Sequence, residues 1–314
     1  MKRKFPVAGF CISMLLMLLM AAAAEAAGIK EIIFPEAAAL LLGSFIMPEM
    51  PWNVRHVTMT VEMTLCAAAG ILISRYVGLP VYFKMLLAAA FVFVLLTASG
   101  NTLTPSVSAC MLPVLIGATE WIYVLSVAVT AAVCDAGSFL IERRKPYDLR
   151  KKFVRNSSMR PLWSRMFVIL AVILLIPGIS GELYLTAPPL VVAFIALSGP
   201  GMAGVRSSNP PLQTILVFFL TSAEGFLFRL LSDETAVPEA VCVMLAAAAA
   251  WAIIRASGRS FPPAAALAVL PFILQAEGLF KYPIEVTCGI ALYYCGALAV
   301  GRWMKHAGAA PQKR

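Results

Sequence analysis

The sequence predicts an all-α, polytopic helical membrane protein built as two parallel, pseudo-symmetric repeats of about six embedded segments, some of them short or re-entrant. Three observations predict it. Of the 314 residues, 61% are hydrophobic and only 13% charged, where a soluble domain carries about 25% charged side chains. The apolar stretches are runs rich in Ala, Leu and Met, without the alternation of a barrel wall. Finally, the order of prolines in the first half of the chain returns in the second. Too few polar side chains exist to cover a water-facing surface, so lipid has to supply the apolar solvent.

Six apolar runs precede a basic stretch and six follow it. Residues 5–27 form the first run, behind Lys2, Arg3 and Lys4. Its Ala-rich end also resembles the cut site of a secretory signal, but residues 166–179 take the equivalent place in the second half without such an end, which favours a retained helix. The second run, 32–47, is headed by Phe34-Pro35-Glu36-Ala37. A polar turn, Pro51-Trp52-Asn53-Val54-Arg55, leads into 54–77, which is followed by 81–99, 104–118 and 121–140. Beyond the basic stretch come 166–179, 185–197, 212–231, 237–254, 261–274 and 284–300. The division is therefore a first repeat over 1–144, a basic cytoplasmic linker over 145–162, a second repeat over 163–302 and a tail over 303–314.

The halves match in detail. Phe34-Pro35-Glu36-Ala37 answers to Ala187-Pro188-Pro189-Leu190, and the turn with Arg55 to Val205-Arg206-Ser207-Ser208-Asn209-Pro210. The long helices that follow end near Arg75 and Arg229. Pro105 and Pro113 stand eight residues apart with Leu112 before the second proline, and Pro263, Leu270 and Pro271 repeat that spacing. Six crossings return the chain to its starting side, so the repeats are parallel rather than inverted.

Charge placement points to the same topology. The net charge is +9, with nine basic residues between Arg143 and Arg165 and others at both ends. Short basic stretches beside apolar ones follow the positive-inside rule and can touch anionic lipid; they do not form a nucleic-acid surface. Both termini, the linker and the turns with Arg55, Arg206, Arg255 and Arg259 are expected in the cytoplasm. Asp233, Glu234, Glu239 and Glu277 are expected outside. Seven scattered cysteines, no CxxC and only two histidines leave no basis for a disulfide framework, a metal site or another cofactor. No Walker loop, GxGxxG or HExxH is present, so an enzyme is not expected.

The second and fifth runs of each half are shorter than the roughly 20 residues of a straight span. Each is headed by proline, which suits a first helical turn. Helices that start inside the bilayer would leave amide N–H groups for a partner, and an anion fits such a site. The pathway candidates are accordingly Pro35, Glu36, Arg55, Pro105, Pro188, Arg206, Pro262 and Pro263. Intramembrane charge is expensive and has to face protein or water; here the candidates are Glu62, Arg75, Asp135, Glu224 and Arg229, with Glu285 also inside an apolar run. The bland readings are core helices of ordinary tilt, and ion pairing or snorkelling for the charges.

At the proline-headed segments the sequence resembles the HPP family of small membrane proteins, named for a His-Pro-Pro motif. Phe261-Pro262-Pro263-Ala264 is similar to that motif with phenylalanine replacing histidine, and the apolar segment from Ala187 to Ser198 leads into the Pro200 and Arg206 turn. Thr104-Pro105 and Arg55 show the same order in the first half. The resemblance implies a duplicated unit and, from the family's link to nitrite transport, a small-anion pathway. The expected function is a transporter or channel for a small solute, such as a monovalent anion, running between the repeats. The alternative is a non-transporting scaffold or a subunit of a larger membrane complex, in which homo-oligomers or other membrane subunits would be partners.

Overall fold

The computed structural model describes residues 6–47, 50–144, 160–198, 210–258, 261–276 and 278–306. Within them the chain is helical and contains no strand. The helices are α1 (Val7–Ala27), α2 (Glu36–Leu41, continued by a π-turn Leu42–Ile46), α3 (Thr58–Tyr76), α4 (Val81–Ser99), α5 (Pro105–Ile116) and α6 (Ile122–Arg144). After the linker come α7 (Arg160–Ser180), α8 (Pro188–Ser198), α9 (Pro211–Glu234), α10 (Glu239–Ala256), α11 (Pro263–Val269, continued by a 3-10 turn Leu270–Phe272) and α12 (Tyr282–His306). Each apolar run read from the sequence coincides with one of these helices.

Seven of them, α1, α4, α6, α7, α9, α10 and α12, are long and apolar enough to cross a membrane. The chain is therefore a polytopic helical membrane protein. Helix α3 has the length, at 19 residues, but Glu62, Arg75 and several hydroxyl side chains dilute its apolar character.

Burial is inverted relative to length. Only 28–44% of the most apolar stretch of each long helix is buried. Their outer faces present side chains such as Val94, Leu125, Val172 and Leu227, the contact that hydrocarbon requires. In the short helices nearly everything is enclosed: every residue from Pro105 to Leu115 in α5, and every residue from Pro263 to Val269 in α11. The four short helices touch in a closed ring, α2 to α5, α5 to α8, α8 to α11 and α11 back to α2. Eight longer helices wrap it.

Local chemistry sets the depth at which the ring begins. Gly28 ends α1 at φ 67°, a left-handed conformation that glycine adopts without strain. Its N–H bonds back to α1, and Ile29 N–H reaches Ala24 O at 3.1 Å, so the chain folds back along α1. By Phe34 the backbone N–H meets Met20 Sδ at 3.5 Å, about 10 Å below the end of α1 at 1.5 Å rise per residue. Pro35 then opens α2 at that depth.

The two first helices make contacts across the halves. Helix α1 lies on α10, and α7 lies between α4 and α12 of its own half. Each cross-half contact carries a Phe–Trp pair, Phe10 with Trp251 at 5.8 Å and Phe93 with Trp163 at 5.1 Å between ring centroids. The Glu25 carboxylate accepts the Ala240 N–H at 3.1 Å, placing negative charge at the α10 N-terminus, where the helix dipole favours it.

Candidate functional site

The ring is built around proline. Pro113 has no N–H, so the carbonyl of Ala109, four residues earlier, loses its helical donor. The Tyr123 hydroxyl, at the start of α6, donates to that oxygen at 2.9 Å. Pro271 does the same to Leu267 O, and the Tyr282 hydroxyl, at the start of α12, donates to it at 2.7 Å. Both tyrosines are fully buried. A buried orphan carbonyl costs about 1–3 kcal/mol, and the two phenols remove that cost.

Close approach of the long helices depends on glycine. A Cβ on Gly70 of α3 would stand 2.3 Å from Cys110 O of α5, and one on Gly225 of α9 would stand 2.3 Å from Ala268 O of α11. Beside these contacts lie the acids. Glu36, at the first turn of α2, is buried and accepts a hydrogen bond from the Ser108 hydroxyl of α5. Its second oxygen has no hydrogen-bond partner. Glu224 adjoins Gly225, and both of its oxygens are sealed from solvent without a partner. The Tyr282 phenol lies within electrostatic reach of both carboxyls.

The sequence-predicted residues separate into groups. Pro35, Glu36, Pro105, Pro188, Pro262 and Pro263 are all buried in the ring. The open amides expected at these helix starts are absent from the described hydrogen bonding. Ala37 N–H bonds to Phe34 O, Ser106 to Leu103 O, Leu190 to Ala187 O and Ala264 to Phe261 O, all within 3.2 Å. A tightened first turn satisfies donors that an anion was expected to fill, and Pro188 and Pro189 bring no donor. Arg55 is exposed in the turn before α3, and Arg206 lies outside the described residues.

The charge candidates have individual fates. Glu62 is buried and accepts from Asn101 Nδ2 at 2.6 Å. Asp135 accepts both the backbone N–H and the hydroxyl of Thr60, at 3.1 and 2.7 Å. Arg75 is exposed, with its guanidinium 5.6 Å from the centre of the Tyr76 ring, whereas Arg229 is buried and paired with Asp233 at 2.9 Å and Glu239 at 3.1 Å. The ion-pair reading thus holds for Arg229, while Arg75 faces outward. Near Asp135, His56 Nε2 meets Glu142 Oε2 at 2.7 Å, a cluster that no sequence signal marked.

On the side opposite the linker, a cavity of about 310 Å³ opens between the ends of α5 and α11 and the turn after α7. Tyr184, Glu182, Gln275, Lys281 and Glu285 line it. Tyr184 N–H donates to Glu285 at 2.9 Å. Burial, and then the Glu285 charge, push the Tyr184 phenol above its ordinary value. Among the described residues no group of His, Cys, Asp and Glu could hold a metal ion. Comparison of the chain with protein-family models, curated proteins and solved structures finds no match.

Proposed function

We propose that this membrane protein is a transporter for a small solute, with its pathway where the short helices of two parallel repeats meet. The observation that carries the reading is the ring with its surroundings: helices too short to span, starting at depth and enclosed by longer ones, with one carboxyl on α2, Glu36, and another on the adjoining α9, Glu224, that pair with no cation among the described residues. Packing alone has no use for such groups, because a charge inside a bilayer costs several kcal/mol. The repeat reading is supported by matching bonds in both halves, Tyr123 to Ala109 and Tyr282 to Leu267. The cavity beside Tyr184 and Glu285 serves as the outer vestibule.

A monovalent anion such as nitrite, nitrate or formate is the first solute class to test, in keeping with the proposed kinship to HPP proteins and the basic inner face. The purified chain in liposomes is expected to carry at least one of these anions at a rate above protein-free vesicles. Absence of flux for all of them would leave the scaffold reading in place.

A further inference from the structure

Resting on the transporter reading, we propose that Glu36 and Glu224 are the proton-binding residues of a proton-coupled cycle, one carboxyl in each half. Each is enclosed, and each keeps at least one oxygen without a hydrogen-bond partner. No cation answers them among the described residues: Arg229, on the same helix as Glu224, is held by Asp233 and Glu239. The Tyr123 phenol faces Glu36, with Cys110 and Cys66 beyond it and Glu62 near Cys66; the Tyr282 phenol lies within electrostatic reach of both acids, with Tyr184 behind it. An ionised carboxylate stripped of water and without a counter-charge is costly. While the ring is closed, each acid is therefore a neutral COOH, and it loses its proton only when water reaches it. A group that is sealed in one state and must be wet to ionise can load on one side and release on the other.

Comparison of the halves shows that packing does not need these acids. The glycine contact of Gly225 recurs at Gly70, yet the residue before Gly70 is Ala69. The place of Glu36 after Pro35 is taken by Pro189 after Pro188, and that of Ser108 by Ala266. The same helix contacts form with and without a carboxyl, so the acids have a role besides holding helices together. In the cycle, a proton from water on the open side adds to a carboxylate oxygen. The O–H bond breaks on the opposite side and returns the proton to water, with no redox change. For an anion, co-transport of that proton makes passage through the acid-lined ring electroneutral.

The test uses the full chain in liposomes with nitrate, whose conjugate acid is too strong to leak as a neutral species. With one proton per anion, a one-unit pH gradient, acid outside, supports about tenfold accumulation. Glu224→Gln and Glu36→Gln are each expected to abolish that accumulation. Glu224→Ala, which copies Ala69 of the other half, guards against a folding effect. Infrared titration of the same vesicles supplies a reading independent of solute: protonated-carboxyl bands at neutral pH, one lost in each Gln variant. PH-independent nitrate flux in the native chain, a sodium requirement in place of the pH gradient, or bands unchanged in both variants would overturn the proposal. Carboxyl bands that vanish in the variants without any anion flux would overturn the transporter reading and leave the proton sites standing.

Discussion

At the scale of the residue, Pro113 and Pro271 explain the best-matched feature of the two halves. Each proline removes one amide donor, and one tyrosine from the next helix replaces it. Tyr123→Phe and Tyr282→Phe are each expected to lower stability in detergent by about 1–3 kcal/mol, since a buried carbonyl is left without a donor. Pro113→Ala restores the N–H, so the double variant Pro113→Ala with Tyr123→Phe should recover most of the loss seen in Tyr123→Phe. Denaturant unfolding of the four proteins checks it, and additive effects would show that the hydroxyl and the missing amide are unrelated. The proline spacing was legible in the sequence, because proline has a fixed backbone consequence. The tyrosines were not, because their partner carbonyls lie on the preceding helix and no local pattern names them. The acids were legible only as intramembrane charge: Glu62 and Glu224 were marked alike, yet one pairs with Asn101 and the other has no hydrogen-bond partner among the described residues.

At the scale of the element, length and hydropathy identified all of the runs, because a lipid-facing helix needs an apolar surface wherever it sits. They also marked which helices are short. They did not show that the short ones are the core, since a fully buried helix and a lipid-bathed one have the same composition. Nor did they show that the helix starts satisfy their own amides, which depends on a tightened turn rather than on residue type. The small residues Gly70 and Gly225 decide how closely α3 approaches α5 and α9 approaches α11. Gly70→Leu and Gly225→Leu should each destabilise by at least about 1–3 kcal/mol, because the new Cβ meets a backbone oxygen that has no rotamer to yield. Gly78, where an added Cβ meets nothing within 4 Å, is the control, and Gly78→Ala should be neutral. Thermal unfolding in one detergent compares the three. Equal tolerance of leucine at all positions would mean that the helices stand further apart than described.

At the scale of the molecule, the halves are interlocked rather than side by side. Helix α1 packs on α10 of the second half, and α7 bridges α4 of the first half and α12 of its own. The proline order in the sequence suggested a duplication but not this packing, which no residue pattern within one half encodes. The consequence concerns autonomy. If each half needs the other's first helix, residues 1–152 and 153–314 expressed separately each expose an unpaired long-helix face and the polar contact between Glu25 and Ala240. Each alone is expected to be degraded or aggregated, and co-expression of the two is expected to restore a stable, co-purifying pair that unfolds as the intact chain does. The cut falls in the basic stretch, which the positive-inside rule puts in the cytoplasm together with both ends, so the insertion of each half keeps its own signal. Reporter fusions after Lys152 and at the C-terminus should both read cytoplasmic. Stable, monodisperse halves in isolation would show that the α1–α10 and α4–α7 contacts are dispensable, and would weaken the case for a pathway that depends on both halves. Failure of the co-expressed pair, with both reporters still cytoplasmic, would instead locate the essential connection in the linker.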